Sequence, residues 1–430
     1  MGAYPPGRPV HIVDGARTPF LKARGIPGPF GASDLAVAAG KALLARQTFG
    51  PGDLDEVILG CILPGAHEAN IARLVALRLG CGKAVPAWTV QRNCGSGMQA
   101  IDAAALDIAC GRADLVLAGG TEAMSRSPVL VGDGMVRILA DLARARGPWA
   151  KAKVAARLRP AHFRPVSGLA LLLTDPLSGL SMGQTAELLA TRFGLTRERM
   201  DAFALESHRR LARAQDGGRL EELAPLAGDD GILRDRDEGL RRDADPAGLA
   251  RLKPAFQAPH GRVTAGNSAQ ISDGAACLLL ASEPAMRRHG LTSLGRIVDG
   301  HWAALEPSQM GLGPVHAMAP LLRRRGLGTG DVDFWEINEA FAAQVLACQE
   351  AWADEPYCRE ELGTPPFAPI DPERLNVDGG GIALGHPVGC SGARIVLHLL
   401  HVLRRTGARR GMASLCIGGG QGGALLLERD

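Results

Sequence analysis

This sequence of 430 residues has few aromatic residues, a small net charge and no closely paired cysteines. Phe, Trp and Tyr together make up only 4%, which disfavours the aromatic surfaces on which nucleic-acid bases stack. The formal net charge of +3 is too small to imply a nucleic-acid partner by itself. We therefore expect no nucleic-acid partner.

The cysteines and the apolar runs exclude further classes of protein. The nine cysteines are an odd number without the close pairing of zinc ligands or of a disulfide framework. The first residues lack the apolar run of a secretory signal. The longest apolar stretches, such as 169–173 and 275–281, are far too short to span a membrane. We expect a cytoplasmic protein whose thiols stay reduced and which holds no structural metal.

The most informative global feature is an internal repeat. A chain of 430 residues fits two or three packed units, and four segment pairs keep the same order and similar separations in both halves. The pairs are VHIVDG (10–15) with GRIVDG (295–300), GPGDLDEVIL (50–59) with GTGDVDFWEI (328–337), CGSGMQA (94–100) with CSGAR (390–394), and ADLVLAGGT (113–121) with GMASLCIGGG (411–420).

Each half alternates short strands rich in Val, Ile and Leu with amphipathic helices. The helices predicted after Cys94 and Cys390 are each closed by a glycine, as helix ends prefer. This alternation predicts mixed α/β layers. We expect two similar domains, one at 1–130 completed by 255–294, and the other at 295–430.

Residues 131–254 look like an insertion between the two halves, and one part of it is strongly basic. Residues 136–164 hold eight Lys or Arg against a single acid, Asp141, and include two helix-like stretches. Residues 195–216 are predicted to form another helix, opened by Thr196. A solvated helical face is the ordinary explanation of such a basic stretch. A lid over the substrate, or a surface for a membrane or a partner protein, is the alternative.

Two residues stand out as candidates for nucleophilic chemistry. Cys94 lies between a predicted strand and a helix, where helical N–H groups should lower the pKa of its thiol and favour the thiolate. A buried structural cysteine is the commoner explanation of a lone cysteine. His386 follows a glycine-rich loop and precedes Pro387, and histidine is the usual base for a thiol. A surface histidine is the ordinary alternative, which the surrounding glycines weaken.

Two further segments place polar groups at strand ends. Cys416 ends an apolar strand before a glycine turn, where open α/β sheets place their sites, although a cysteine of the strand core is equally compatible. A phosphate-binding role for the glycine run is weaker, because no helix with a lysine follows. Asn338 ends the strand DFWEI before another helix and could position water, or it could simply cap the helix.

Together these segments make the chain resemble the thiolase family. The matching blocks span nearly the whole chain in family order: ARTPF (16–20), NCGSGMQA (93–100), GGTEAMS (119–125), MGQTAE (182–187), LKPAF (252–256), TAGNSAQISDGAA (264–276), NEAFA (338–342), GGGIALGHPVGCSGAR (379–394) and CIGGGQGG (416–423). The resemblance implies a duplicated fold with α-β-α-β-α layers and an inserted loop domain.

The resemblance also assigns chemical roles. Cys94 would attack a thioester substrate and form an acyl-enzyme, and His386 would accept its proton. Cys416 would remove a proton from acetyl-CoA in condensation and return that proton in cleavage. Asn338 would hold a water that forms one oxyanion hole with His386, and the backbone N–H groups of Cys94 and Gly418 would form the other.

For coenzyme A the resemblance implies a set of contacts and two departures. Many thiolases have His where this chain has Ser181, and Ser where it has Ala269, with its own serine one place earlier at Ser268. Both departures concern CoA contacts rather than the catalytic step. The implied contacts are Met182, Ala265, Met310, Ala340 and Phe341 along the pantetheine arm and Arg241 near the nucleotide.

The function implied is acyl transfer between CoA thioesters. We expect CoA-dependent cleavage of 3-ketoacyl-CoA, or the reverse Claisen condensation with acetyl-CoA, and favour broad or medium-to-long acyl chains. An acetoacetyl-CoA-specific biosynthetic thiolase is the main alternative. A ketoacyl-synthase-type condensing enzyme is disfavoured by the second thiol, Cys416. A non-enzymatic relative that kept the fold is disfavoured because every catalytic position is present.

The resemblance implies partners as well. No metal or redox cofactor would be needed, and CoA would be carried as part of the substrate. A homodimer or homotetramer is expected. The basic stretch 136–164 would contact a β-oxidation partner subunit or a membrane surface, if it is more than a solvated face.

Overall fold

The computed structural model describes residues 7–430. Within these residues the strands are β1 Val10–Arg17, β2 Leu21–Lys22, β3 Glu56–Gly60, β4 Ala87–Val90, β5 Leu115–Ala123, β6 Val129–Val131, β7 Pro165–Ser167, β8 Leu226–Ala227, β9 Leu233–Arg234, β10 Ser272–Ser282, β11 Gly295–Ala304, β12 Phe334–Ile337, β13 Arg410–Ile417 and β14 Gln421–Glu428.

The strands are joined by helices of very different lengths. The α-helices are α1 Ala32–Leu44, α2 Ile71–Arg78, α3 Ser96–Ala109, α4 Asp133–Arg144, α5 Pro148–Ala155, α6 Gly168–Leu172, α7 Met182–Arg192, α8 Arg197–Asp216, α9 Pro246–Ala250, α10 Glu283–His289, α11 Gly313–Arg325, α12 Ala342–Ala353, α13 Glu355–Tyr357, α14 Gly381–Leu384 and α15 Ser391–Thr406. Short 3-10 turns lie at Pro51–Asp53, Met124–Arg126, Pro160–Phe163, Pro307–Leu312, Thr329–Asp331 and Pro372–Arg374, and a π-helical turn lies at Cys358–Leu362.

The main sheet has the strand order β12-β13-β14-β11-β1-β10-β5-β3-β4, with β2 paired to β10. Its two halves meet where β1 and β11 pair through only His11 with Arg296 and Ile12 with Gly295. These residues belong to the two copies of the VDG segment in the sequence repeat. Since β5 and β13, and β3 and β12, also hold equivalent repeats, the repeat corresponds to two similar half-sheets.

Both faces of each half-sheet are covered, which explains the short, almost wholly apolar strands. In β10, Cys277 and Leu279 face a cluster formed with α1 and α2, while Leu278 and Leu280 face a cluster formed with α3 and α15. A third cluster packs α7, α11 and α12 against the other half-sheet. The layers therefore run helix, sheet, helix, sheet, helix, as the resemblance to the thiolase family implied.

Glycines let the two central helices, α3 and α15, approach closely near their N-termini. A Cβ at Gly97 would lie 2.8 Å from the carbonyl oxygen of Gly389 and 3.0 Å from the amide nitrogen of Ala393. A Cβ at Gly392 would lie 2.7 Å from the amide nitrogen of Met98. Because the helix starts carry the Cys94 and His386 segments, this contact brings the two halves of the chain to one place.

Residues 131–254 hold short elements beside three longer helices, α4, α7 and α8. The basic stretch forms α4 and α5 as expected, and α8 begins after Thr196, whose side chain accepts a hydrogen bond from the amide of Arg199 at 3.3 Å. Among the described residues, no helix is long and apolar enough to cross a membrane. The domain boundaries stay a prediction.

Candidate active site

One cavity of about 410 Å³ gathers residues that lie far apart in the sequence. Cys94, His386, Cys416 and Gly418 all line it. Of the predicted site residues, only Asn338 does not line this cavity. The others that line it are Met182, Arg241, Ala265, Met310, Ala340 and Phe341.

Cys94 is held in a tight turn between β4 and α3. Asn93 adopts a left-handed conformation with φ of 42°, and its side-chain amide donates to the carbonyl oxygen of Gly418 at 2.8 Å. Ser96 donates to the carbonyl oxygen of Asn93 at 2.7 Å. The turn that carries Cys94 is thereby tied to the hairpin that follows Cys416.

The expectation that the helix start lowers the pKa of Cys94 is wrong. Burial raises the pKa of this thiol to about 11, although hydrogen bonds from the backbone N–H groups of Gly418 and of Cys94 itself oppose the rise. The loss of water around a charged sulfur outweighs those partial positive charges. Cys94 therefore rests as a thiol and needs a base. The same two N–H groups point at the sulfur of Cys94.

His386 is held as a neutral base. Its Nδ1 lies 2.6 Å from the hydroxyl of Ser391, and that hydroxyl donates to the carbonyl oxygen of Pro387 at 3.0 Å. Since Ser391 has only one proton to donate, it must accept from Nδ1–H, which leaves Nε2 with a free lone pair. Burial, with the nearby charge of Arg394, lowers the pKa of His386 to about 4.

Asn338 does not line the cavity directly but supports its base. It is fully buried at the end of β12, and its Nδ2 lies 3.5 Å from both ring nitrogens of His386. Its Oδ1 has no hydrogen-bond partner among residues 7–430. An amide with an unused acceptor beside the imidazole suits the predicted role of holding a water molecule.

Cys416 places a second thiol in the cavity wall. It is 1% exposed near the end of β13, just before a glycine turn in which Gly419 and Gly420 have φ of 87° and 76°. Burial raises the pKa of Cys416 well above its ordinary value, and a negative charge on Cys94 would raise it further. The two thiols are therefore close enough to interact, and Cys416 rests protonated.

Glu339 positions the loop that carries His386, a role that the sequence left open. Its carboxylate accepts hydrogen bonds from Ser207 Oγ at 2.6 Å, from Asn376 Nδ2 at 2.9 Å and from the amide of Ile382 at 3.2 Å. The sequence indicated only a polar residue at a strand end. Its partners come from two distant segments, one at Ser207 and one spanning 376–382, which no local pattern reveals.

Glu122 binds the backbone of two loops, and the sequence did not predict this role. The buried carboxylate accepts hydrogen bonds from the amides of Ile62 at 3.0 Å, Leu63 at 3.0 Å and Gly389 at 3.1 Å. Burial raises its pKa to about 7, although these N–H groups oppose the rise. The GGTEAMS block was the only available signal.

The rest of the cavity is mostly apolar, with Lys22 and Arg241 as its cationic side chains. Lys22 and Phe256 were missed, although Lys22 lies two residues after ARTPF and Phe256 ends LKPAF, two of the blocks that carry the family resemblance. Ser181, the first departure from the family pattern, accepts from the amide of Gln184 at 3.3 Å and so caps α7. Ser268 donates to the carbonyl oxygen of Thr264 at 2.7 Å, so its hydroxyl proton is already committed.

Comparison with known proteins agrees with this geometry. Residues 10–284 match the family profile described as "Thiolase, N-terminal domain", and residues 291–429 match "Thiolase, C-terminal domain". A beta-ketoadipyl-CoA thiolase of Pseudomonas aeruginosa is 42% identical over 434 residues, which cover 98% of this chain and 99% of the relative. The human mitochondrial 3-ketoacyl-CoA thiolase is 37% identical over 426 residues, which cover 98% of both chains.

Solved structures show the same likeness. The crystal structure of human mitochondrial 3-ketoacyl-CoA thiolase in complex with CoA is 37% identical, covers 98% of both chains and has a TM-score of 0.85. The Bacillus anthracis acetyl-CoA acetyltransferase is 37% identical, covers 99% of both chains and has a TM-score of 0.83. The family profiles favour a thiolase over a ketoacyl-synthase-type enzyme. The chain therefore belongs to the thiolase family and is an acyltransferase of that family.

Proposed function

We propose that this enzyme cleaves 3-ketoacyl-CoA with a second CoA, and runs the reverse Claisen condensation, through an acyl group carried on Cys94. The observation that carries the proposal is one cavity lined by two thiols and a neutral imidazole, Cys94, Cys416 and His386. A thiol nucleophile, its base and a separate proton donor are the groups that this chemistry requires.

In the first half-reaction, Cys94 Sγ attacks the ketone carbon while Nε2 of His386 takes its proton. The oxyanion that forms is stabilised by the backbone N–H groups of Cys94 and Gly418, which point at the sulfur. Each such donor contributes about 3 kcal/mol of barrier reduction. The bond between C2 and C3 then breaks, and its electron pair moves to C2.

That electron pair makes an enolate of acetyl-CoA, which must be protonated before it leaves. His386, now carrying a proton on Nε2, and a water held by Asn338 donate to the enolate oxygen. Cys416 gives its proton to C2, and acetyl-CoA departs. The high pKa of Cys416 suits this step, because the thiol stays protonated until a basic carbon forms.

The second half-reaction restores every group. CoA enters with its thiol proton, which passes to the Cys416 thiolate, and its sulfur attacks the acyl-Cys94 thioester. Cys94 leaves as a thiolate and recovers its proton from His386. Because one product leaves before the second substrate reacts, we expect ping-pong kinetics. Two thiols and an imidazole supply all the proton transfers, so the proposal needs neither a metal nor a redox cofactor.

The apolar part of the cavity would hold the pantetheine arm of CoA, along Met182, Met310 and Phe341. Lys22 and Arg241 would meet the CoA phosphates, since they are the cationic side chains of the lining. Support comes from the human relative, whose structure is described as a complex with CoA.

Loss of enolate absorbance of acetoacetyl-CoA on addition of CoA tests the activity directly. We expect turnover by the native enzyme and almost none by Cys94→Ser, because a serine hydroxyl is a far weaker nucleophile without a strong base. Cys110→Ser is the matched control, since Cys110 is exposed and lies at the far end of α3. Substantial activity in Cys94→Ser would refute the nucleophile.

The acyl length is proposed to extend beyond acetoacetyl, in keeping with the sequence expectation of broad or medium-to-long chains. A panel of 3-ketoacyl-CoA substrates of increasing length distinguishes this from an acetoacetyl-specific enzyme. A steep fall in kcat/KM beyond the four-carbon substrate would favour the specific biosynthetic alternative.

We also propose that the enzyme is a homodimer or homotetramer. The outer edge of β4 lacks a neighbouring strand in the described chain, and Trp88 on it is 38% exposed. Edges of this kind pair readily with another chain. Light scattering coupled to size-exclusion chromatography should give a dimer or tetramer mass, and a monomer at micromolar concentration would contradict the proposal.

For the basic stretch 136–164 we propose contact with an anionic membrane surface. Beside its cations, Val136, Leu139, Trp149 and Phe163 expose 51%, 54%, 88% and 63% of their surface, a combination typical of peripheral membrane segments. Sedimentation with anionic but not neutral vesicles, reduced in Trp149→Ala, would support it. Binding to neither points instead to a partner subunit or a solvated face. We also propose that the enzyme is cytoplasmic.

A further inference from the structure

Glu122 is a fully buried carboxylate that takes no part in the proton transfers of the proposed mechanism. Its Oε1 accepts hydrogen bonds from the amide of Leu63 at 3.0 Å and from the thiol of Cys61 at 3.6 Å. Its Oε2 accepts from the amides of Ile62 at 3.0 Å and Gly389 at 3.1 Å. These four donors belong to two loops, one that follows β3 and one that follows the histidine of the site.

The hydrogen bonds require the ionised form of this carboxyl group. A protonated carboxyl group carries an O–H that needs an acceptor, whereas the backbone N–H groups of Ile62, Leu63 and Gly389 can only donate. Burial opposes ionisation and raises the pKa of Glu122 to about 7. Above that pH the two loops are held by a charged acceptor, which makes stronger hydrogen bonds than a neutral one.

The two loops form the wall beside the nucleophile. Ile62 from one loop and Val388 from the other are buried in one small apolar cluster with Met124. The side chain of Cys94 packs against this cluster, and Val388 and Met124 also line the catalytic cavity. Because Val388 lies two residues after His386, a shift of this loop would displace the wall and the base together.

Glycine allows the loop after the histidine to lie directly on β5, the strand that carries Glu122. A Cβ at Gly389 would lie 2.6 Å from the carbonyl oxygen of Thr121 and 2.7 Å from Oε2 of Glu122. A Cβ at Gly120 would clash with the carbonyl oxygen of Gly389. The loop is therefore seated against the strand at the point where the carboxylate binds it.

The charge of Glu122 also acts on the sulfur of Cys94. Burial is the main reason why the pKa of this thiol is raised, and the negative charge of Glu122 raises it further. A thiolate on Cys94 would be repelled by the carboxylate. The proton therefore stays on the sulfur until a base removes it, as His386 does in the proposed mechanism.

We propose that Glu122 is a positioning residue for acyl transfer through Cys94: it fixes the wall beside the sulfur and the loop that carries His386, and its negative charge keeps the sulfur protonated at rest. This role rests on the proposed function and belongs to a residue that does not line the catalytic cavity. Removal of the charge should have two effects of opposite direction, slower thiolysis and faster alkylation of Cys94.

Glu122→Gln keeps the size of the side chain and removes its charge. Because the amide offers one acceptor oxygen in place of two, the donors at its other end lose their partner. With acetoacetyl-CoA and CoA, kcat should fall by about 10- to 100-fold. Alkylation of Cys94 by iodoacetamide at about pH 9, followed by mass spectrometry of its peptide, should become several-fold faster than in the native enzyme.

Glu122→Asp separates position from charge. The shorter side chain cannot reach both loops, so kcat should fall as in Glu122→Gln, but the retained charge should keep alkylation of Cys94 as slow as in the native enzyme. Glu68→Gln is the matched control, because Glu68 is also buried and accepts from the amides of Ser33 at 3.0 Å and Gly65 at 2.9 Å but is not in contact with the cluster that holds Cys94. It should leave both rates unchanged.

A native kcat in folded Glu122→Gln overturns the positioning role. Unchanged alkylation of Cys94 in Glu122→Gln, or equal acceleration in both Glu122 variants, overturns the role of the charge. If a thermal melt shows that Glu122→Gln does not fold, Glu122→Asp decides the positioning role, which a native kcat would overturn. Failure of the proposed function has a different signature, since the native enzyme would then not cleave acetoacetyl-CoA at all, while the alkylation rates would still report the charge.

Discussion

Replacing Ser391 by alanine should impair turnover rather than substrate binding. Ser391 does not line the catalytic cavity, yet its hydroxyl lies 2.6 Å from Nδ1 of His386 and donates its own proton to Pro387. This arrangement fixes the proton of the imidazole on Nδ1 and leaves Nε2 free to accept the proton of Cys94. Alanine removes the acceptor and with it the preference for the productive tautomer.

The size of the effect follows from the burial of His386, which is 8% exposed. A buried donor left without an acceptor costs about 1–3 kcal/mol. If the imidazole escapes that cost by moving its proton to Nε2, the productive tautomer is disfavoured by the same amount. We therefore expect kcat to fall by about 5- to 150-fold, with KM for CoA and for the 3-ketoacyl-CoA nearly unchanged.

Steady-state kinetics with acetoacetyl-CoA, together with a thermal melt, measure this outcome. Ser282→Ala is the matched control, because Ser282 is equally buried but caps α10, where its Oγ accepts from the amide of Ala285 at 3.3 Å. It should cost about 1 kcal/mol of stability and leave kcat unchanged. An unaltered kcat in Ser391→Ala, or a loss confined to KM, would refute the tautomer argument.

Three further outcomes follow from the same geometry. Cys416→Ala should lower thiolytic turnover at least about 100-fold while Cys94 still reacts with iodoacetamide, and undiminished thiolysis would contradict its role as the proton donor to C2. Since the pKa of His386 is about 4, kcat/KM should stay constant as the pH falls until the pH approaches about 4, and an acid limb in kcat/KM near the ordinary histidine pKa would contradict a buried base. Since the pKa of Cys94 is about 11, alkylation of Cys94 by iodoacetamide should rise about tenfold per pH unit between pH 7 and 10. Gly97→Ala should cost about 1–3 kcal/mol of unfolding free energy, because its Cβ meets the Gly389 carbonyl oxygen at 2.8 Å, and unchanged urea unfolding would count against tight helix packing.

The layered fold was predictable because its signals are local and duplicated. The two VDG segments indicated equivalent strands, and the glycine-closed helices after Cys94 and Cys390 occur where the pattern placed them. That these two strands pair with each other at the centre of the sheet was not predictable. A repeat shows that two segments are alike but carries no information about how they pack.

The residues of the site were likewise predictable where the signal was local and not where it depended on distant contacts. Local blocks of sequence contain the residues that are proposed to meet substrate, and Cys94, His386 and Cys416 do line one cavity. The pKa of Cys94 was predicted wrongly because a sequence shows the helix start but not the degree of burial. Glu122 was missed because its partners, the amides of Ile62, Leu63 and Gly389, are backbone groups that any residue type supplies.

The proposed mechanism requires that the acyl group is carried on the sulfur of Cys94. Brief incubation of the native enzyme with acetyl-CoA, acid quenching and peptide mass spectrometry would test it most directly. We expect one acetyl group on the peptide that contains Cys94, removed when CoA is added and absent from Cys94→Ser. Acetylation of Cys416 in place of Cys94, or turnover with no acyl-enzyme at all, would contradict it.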